Sequence, residues 1–155
     1  MGILDRLTGT RRPQAGTPAL PARQLYDAIA ALDRNDVPWS IRSGAAERAD
    51  LVAEWTDTTG PQHFRYMIVL RLDEALHEVI ALDRLWQSDG PGGGARYGQG
   101  GNVSRRGFSG TIERDANGKL RVVRTGGFDT RQLKDPLRDT VTASGWTWRQ
   151  RALSM

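Results

Sequence analysis

Cysteine is absent from this 155-residue chain, which removes disulfides, thiolate nucleophiles and zinc–thiolate sites together. A reducing compartment is the natural setting for such a sequence. Histidine, the usual general base and metal ligand, occurs only at His63 and His77. Lysine is almost missing as well, since the 22 cationic residues include only Lys119 and Lys134 as lysines. No apolar run approaches the roughly 18 residues that span a bilayer. The opening MGILDRLTGTRR also lacks the apolar core of a secretory signal. These absences point to the cytoplasm.

What remains is enough for one ordinary domain. A chain of this length buries about 70% of the surface its unfolded form exposes, so it needs no covalent staple. The formal charge is +4, unevenly spread. Residues 1–24 hold four arginines against one aspartate, residues 25–88 six cations against eleven anions, and residues 89–155 twelve against six. Such asymmetry marks either a basic binding face or two complementary parts of one domain.

The strongest pattern is His63 to Leu72, HFRYMIVLRL. Phe64, Tyr66, Ile68, Leu70 and Leu72 alternate with His63, Arg65, Met67, Val69 and Arg71. This is the period of a long strand with one face buried and the other half covered. At about 3.3 Å per residue it spans about 33 Å, enough to cross a small domain as a central strand.

The rest of the chain is read around that strand. Ile3, Leu4 and Leu7 have helical spacing, but so short a helix is marginal alone. Of a frayed terminus touching its own domain and a weak membrane-surface or partner anchor, the first is the expectation. Thr8 to Leu20 reads as a linker, which makes residues 1–20 a flexible segment ahead of a single domain at 21–155. Pro21 suits a first helical turn, and Leu25, Ile29 and Leu32 extend a helix over 21–34. Trp39–Arg42 and Leu51–Asp57 read as strands. The stretch from His77 to Trp86 fits either a strand or a helix; directly following a strand through a short polar turn, it is read as a strand. Residues 88–102 collapse to glycine and contain no phosphate-binding pattern, so a flexible loop is expected. Phe108–Arg114 and Lys119–Arg124 flank Asn117-Gly118, which supplies the positive φ angles of a tight hairpin turn. Asp135-Pro136 reads as a helix start. Leu133, Leu137 and Val141 form its apolar stripe, and Gly145 ends it with Trp146 folding back. WTWRQRAL closes the chain as a last strand.

DLVAEW at 50–55, HEVIALD at 77–83 and KDPLRDTVTASGWTWR at 134–149, with the opening MGILDRLTG, resemble an uncharacterised family of small actinobacterial proteins. The resemblance covers about half the chain, and the last stretch is its most specific part. Residues 88–102 are more glycine-rich than the family pattern. The resemblance implies a source, a cytoplasmic compartment and one compact domain. It carries no catalytic residue.

The chemistry-bearing residues are sparse. A hairpin places His63 and His77 side by side, with Glu74, Glu78 and Asp83 nearby, but the spacing matches no ligand motif. Ser104 and Ser109 lie among glycines without a nucleophile elbow. No catalytic residue, metal or cofactor is assigned. Five tryptophans supply most of a core; Trp39, Trp55 and Trp146 are expected there. Trp146 and Trp148, between Arg138 and Arg149, are the candidates for an aromatic platform. The remaining candidate interaction surface is Arg105, Arg106, Arg114, Lys119, Arg121 and Arg124 on or beside the hairpin, with Trp148 and Arg149 near the C-terminus. A solvated sheet face and a phosphate-tracking surface both fit those cations.

The architecture expected is α+β: a curved antiparallel sheet of six or seven strands, with an N-terminal and a C-terminal helix on one face and a last strand after them. The function expected is a non-enzymatic cytoplasmic interaction module, binding a protein partner or itself as a homo-oligomer. The alternatives are a nucleic-acid binder using the hairpin and the glycine/arginine-rich loop, and an apolar-ligand carrier with a cavity lined by Phe64, Ile68 or Trp55.

Overall fold

A computed structural model of the chain describes residues 3–58, 63–88, 95–100, 106–114 and 120–151, with side chains outside 89–128. Eleven-residue strands β3 (His63–Asp73) and β4 (Glu78–Ser88) form the spine, paired antiparallel from His63↔Ser88 to Asp73↔Glu78. β2 (Leu51–Asp57) lies on the other side of β3, and β1 (Trp39–Ser43) lies outside β2. The far edge of β4 is shared by two strands. Its second half pairs antiparallel with β5 (Ala95–Gly100), and its first half pairs parallel with β8 (Thr147–Arg151). The strands β6 (Arg106–Arg114) and β7 (Leu120–Asp129) make a separate antiparallel ribbon. The helices are α1 (Ile3–Thr8), α2 (Ala22–Ala30) and α3 (Arg131–Ala143).

The α+β class is as expected, while several details differ. The sheet is mixed, because β8 runs parallel to β4. A strand delivered by a helix, unlike one delivered by a tight turn, has no local constraint on its direction. Ala95–Gly100 is a strand where a flexible loop was expected. An edge strand requires only backbone donors and acceptors, so a glycine-rich sequence without side-chain periodicity conceals it. The helix expected over 21–34 stops at Ala30. There the Asp33 carboxylate accepts the Ile41 N–H at 2.9 Å, and Trp39 Nε1 donates to the Leu32 carbonyl at 3.2 Å, which bends the chain into β1.

The central strand behaves as its alternation requires. Leu51, Ala53 and Trp55 stand beside Leu70, Ile68 and Tyr66, which in turn stand beside Ala81, Asp83 and Leu85. These residues, apart from Asp83, are buried in one cluster with Leu25 and Ile29 of α2, Leu133, Leu137 and Val141 of α3, and Trp146 and Trp148. On the opposite face the row Val52–Val69–Leu82, with Met67, is buried too.

α3 begins at Arg131, four residues before Asp135-Pro136. Asp129 supplies the cap, accepting the Arg131 N–H at 3.0 Å and gripping its guanidinium at 3.1 Å. Pro136 therefore sits in the second turn and leaves one intrahelical bond unmade. The helix end is as expected. Gly145 has φ +77°; its N–H bonds the Thr142 carbonyl and the Trp146 N–H bonds that of Val141, both at 3.1 Å, the paired bonds of a Schellman motif.

The stretch read as a flexible linker is tied to this end of the fold. Arg11 and Trp148 exchange backbone hydrogen bonds of 2.9 and 2.8 Å, and the Leu20 N–H donates to the Ser144 carbonyl at 2.9 Å. Trp146 Nε1 donates to the Leu20 carbonyl at 2.8 Å. Pro18 crosses so close that a Cβ on Gly145 would lie 2.3 Å from its carbonyl oxygen.

Gly145 thus meets two constraints, a left-handed backbone and a close backbone crossing, whereas Gly16 has φ +85° but open space around it. Gly16→Ala is expected to cost about 1 kcal/mol from backbone strain alone. Gly145→Ala is expected to cost at least about 1 kcal/mol more, since the Pro18 backbone must also move. Urea unfolding of both variants checks this; equal losses would show that the crossing is not tight.

Candidate functional site

Among the described residues three places carry chemistry: the surface at α1, a polar cluster buried under α3, and clefts between the N-terminal segment and α3.

α1 forms, but it does not rest its apolar residues on the domain. Ile3, Leu4 and Leu7 are 80, 75 and 75% exposed. The segment does touch its own domain, with α1 against β8, but its apolar residues do not make that contact. What holds the helix is polar. Arg12 embraces Asp5 through Nε at 2.9 Å and Nη2 at 3.3 Å. Thr8 Oγ1 donates to the Leu4 carbonyl at 2.9 Å and lies 2.9 Å from Thr10 Oγ1. Gly9 turns the chain at φ +73°, and Arg11 then enters its bridge to Trp148. Asp5 faces the domain and the apolar residues face water.

Asp83 lies fully buried on the helix-covered face of the sheet. Its Oδ2 accepts from Tyr66 Oη at 2.8 Å and meets the Lys134 ammonium, while Oδ1 accepts from Gln150 Nε2 at 3.0 Å. Gln150 Oε1 in turn accepts from Trp148 Nε1 at 3.1 Å. Burial pushes the Asp83 carboxyl above its ordinary range, with Lys134, Tyr66 and Gln150 opposing the shift. Burial pushes the Lys134 ammonium down, with Asp83 opposing, and pushes the Tyr66 phenol well up. Among the described residues Asp83 is the single acidic contact of Lys134. Neither cleft described below is lined by any of the four residues, so the cluster ties α3 to β3, β4 and β8. In the sequence Lys134 belongs to no chemical motif, and Asp83 stands only near the two histidines and their neighbouring acids. The available signal was parity: Asp83 interrupts Val79, Ala81 and Leu85 on the core-facing positions of β4.

The clefts lie on the outer side of α3. One of about 320 Å³ is lined by Arg11, Arg12, Asp135, Arg138, Asp139 and Thr142. Its neighbour of about 440 Å³ is lined by Arg12, Gln14, Thr17, Asp139, Thr142 and Ala143. Their charges are largely spent on one another, as in Arg12–Asp5 and Arg138–Asp135. Phe64, Ile68 and Trp55, the residues expected around an apolar ligand, line neither cleft and are buried in the main cluster.

Of the expected basic surface, four cations lie on the β6–β7 ribbon, and Trp148 and Arg149 lie on β8. Arg105 and Lys119 lie outside the described residues. Arg106 and Arg114 are on β6, Arg121 and Arg124 on β7. The register sets Arg121 opposite Glu113, Arg114 opposite Leu120 and Arg124 opposite Gly110. By the two-residue period of a strand, Arg121 occupies the alternate parity from Arg124. Trp148 is buried with its indole N–H bonded to Gln150, so it presents no platform; Trp146 is buried likewise, while Trp55 is in the core and Trp39 packs partly buried against it. Arg149 pairs with Glu78 at 2.9 Å, which holds the Glu78 carboxyl below its ordinary range. The two histidines are separated rather than adjacent: His63 pairs with Ser88 at one end of the β3–β4 hairpin, and His77 sits in the turn at the other, its ring 5.3 Å from that of Trp146. Among the described residues no three His, Asp or Glu side chains are grouped to hold a metal ion. No helix among them is long and apolar enough to cross a membrane.

No family model matches the chain, and no curated protein or solved structure is similar to it.

Removing one partner of the buried pair strands the other. Asp83→Asn or Lys134→Met is expected to cost about 3 kcal/mol, and the double variant less than the sum of the two. Because the folded carboxyl pKa is raised, the native state keeps a proton that the unfolded chain loses near about pH 4, so Asp83 costs stability as pH rises through the raised value. The penalty of Asp83→Asn is accordingly largest near about pH 4 and shrinks above it. Urea unfolding across the acid-to-neutral range reads both effects; a penalty that grows with pH would contradict the assignment.

Proposed function

We propose that this chain is a non-enzymatic, cytoplasmic interaction module whose contact element is α1. The observation that carries this reading is the exposure of Ile3, Leu4 and Leu7 on a helix that is otherwise fixed to the domain. Exposed apolar side chains scattered singly need no explanation, but three on one short helix form a patch of the kind that marks a contact site. The cost of ordering the helix is already met by the Asp5–Arg12 pair and the Thr8 cap, so a partner gains the burial without having to fold the element.

A photoreactive diazirine leucine analogue at position 4 tests it, compared with the same group at position 40, where Ser40 is exposed on β1. Diazirines insert into protein and lipid alike. In producing cells, docking through α1 predicts adducts from position 4 and several-fold fewer from position 40. Equal yields, or none from position 4, would remove α1 as the contact element.

A further inference from the structure

Resting on α1 as the contact element, we infer that its partner is an anionic bilayer surface, with Ile3, Leu4 and Leu7 entering the interface and arginines at the base of the helix meeting lipid phosphates.

The size of the patch argues first. Three aliphatic side chains bring on the order of 300–400 Å² of apolar surface. A stable protein–protein interface buries about 800 Å² per partner in a shaped, packed contact. A second copy joined through α1 alone would fall well short. A bilayer sets no such threshold, because its fluid boundary closes around whatever side chains enter, and an amphipathic helix lies in it with only one face immersed.

Charge argues second. Arg6 is exposed on α1 itself, and α1 sits against β8. Arg12, Arg149, Asp5 and Glu78 are near enough to influence one another electrostatically, and Arg151 acts on Glu78. With Arg11 this makes five arginines against two carboxylates. On the α3 side Arg138 stands with Asp135 and Asp139; among these described residues of the rim six cations stand against four anions, and with Arg12–Asp5, Arg138–Asp135 and Arg149–Glu78 paired the excess is two positive charges. Two such rims facing each other repel, whereas an anionic leaflet attracts them. Asp5, the one acid on α1, is turned into its bidentate contact with Arg12 and does not confront the lipid.

The arrangement also supplies what a short helix lacks. Six residues in isolation would not hold a helical conformation in water. Here the helix is prefolded on a rigid base, with Gly9 and Thr10 buried beneath it and Arg11 built into the edge of β8. The anchor is weak by construction, as one small apolar face with a few arginines gives reversible binding.

The test is co-sedimentation of the purified full chain with extruded vesicles, of phosphatidylcholine alone or with about 30% phosphatidylglycerol, at about 0.05 M and about 0.5 M salt. Anionic vesicles are expected to bind at least about tenfold better than neutral ones, less so at high salt. Leu4→Ser/Leu7→Ser, whose positions are exposed and leave the circular dichroism unchanged, is expected to lower that binding about tenfold. Arg6→Gln is expected to lower it about fivefold. No binding to anionic vesicles overturns the inference. So does binding that survives Leu4→Ser/Leu7→Ser, which would place the contact on arginines elsewhere, and so does a dimer mass in solution that this double variant abolishes. If vesicles fail while position 4 still cross-links to a protein, the lipid assignment falls and the role of α1 stands; if both fail, both fall.

Discussion

The parallel pairing of β8 with the first half of β4 is the contact on which the rest of the structure depends. It buries Trp146 and Trp148, fixes the end of α3 over the sheet, and offers its second edge to Arg11. The two ends of the chain are thereby closed against each other, with backbone bonds at Arg11–Trp148 and Leu20–Ser144 and the Pro18 crossing at Gly145 between them. Because β5 takes the other half of the same β4 edge, the sheet is at most five strands wide at any level although six strands build it. Dividing one edge in this way leaves the N-terminal segment as the cover of β8, and so decides where α1 stands.

The Asp83–Lys134 pair belongs to the same closure. It joins α3 to β4, and Tyr66 and Gln150 extend it to β3 and β8. A buried ion pair is a poor source of net stability, since desolvation offsets most of the attraction. Its effect is registry. Only one placement of α3 along the sheet brings Lys134 to Asp83, and only one alignment of β8 brings Gln150 to the other carboxylate oxygen. The apolar contacts of Leu133, Leu137 and Val141 tolerate sliding by comparison.

How much of this was legible in the sequence follows from which interactions are local. β2, β3 and β4 were legible because alternation reports burial directly, and the Gly145 end of α3 because a left-handed residue and its partners lie within five positions. β5 was not, since a backbone-paired glycine edge leaves no side-chain pattern. The direction of β8 was not, since the sequence of a strand is the same whichever way its neighbour runs. The start of α3 was misread because Asp135-Pro136 is a strong local signal that Asp129 outcompetes from outside the window. For the contact element, the apolar triplet was visible at Ile3, Leu4 and Leu7. Its orientation was not, because that depends on Arg12 reaching Asp5 and on Arg11 reaching a strand more than a hundred residues away. Trp148 was misplaced for the same reason: alternation in WTWRQR shows two faces and cannot show which of them another segment covers.

α1 is held in place with its apolar side in water because the N-terminal segment is part of the fold. Amide hydrogen exchange of the isolated chain reads this directly at Arg11 and Trp148. The Arg11 and Trp148 N–H groups, each bonded to the other residue's carbonyl, are expected to exchange as slowly as those of the β3–β4 ladder. Exchange of both at the rate of an open chain, while the ladder stays protected, would contradict it.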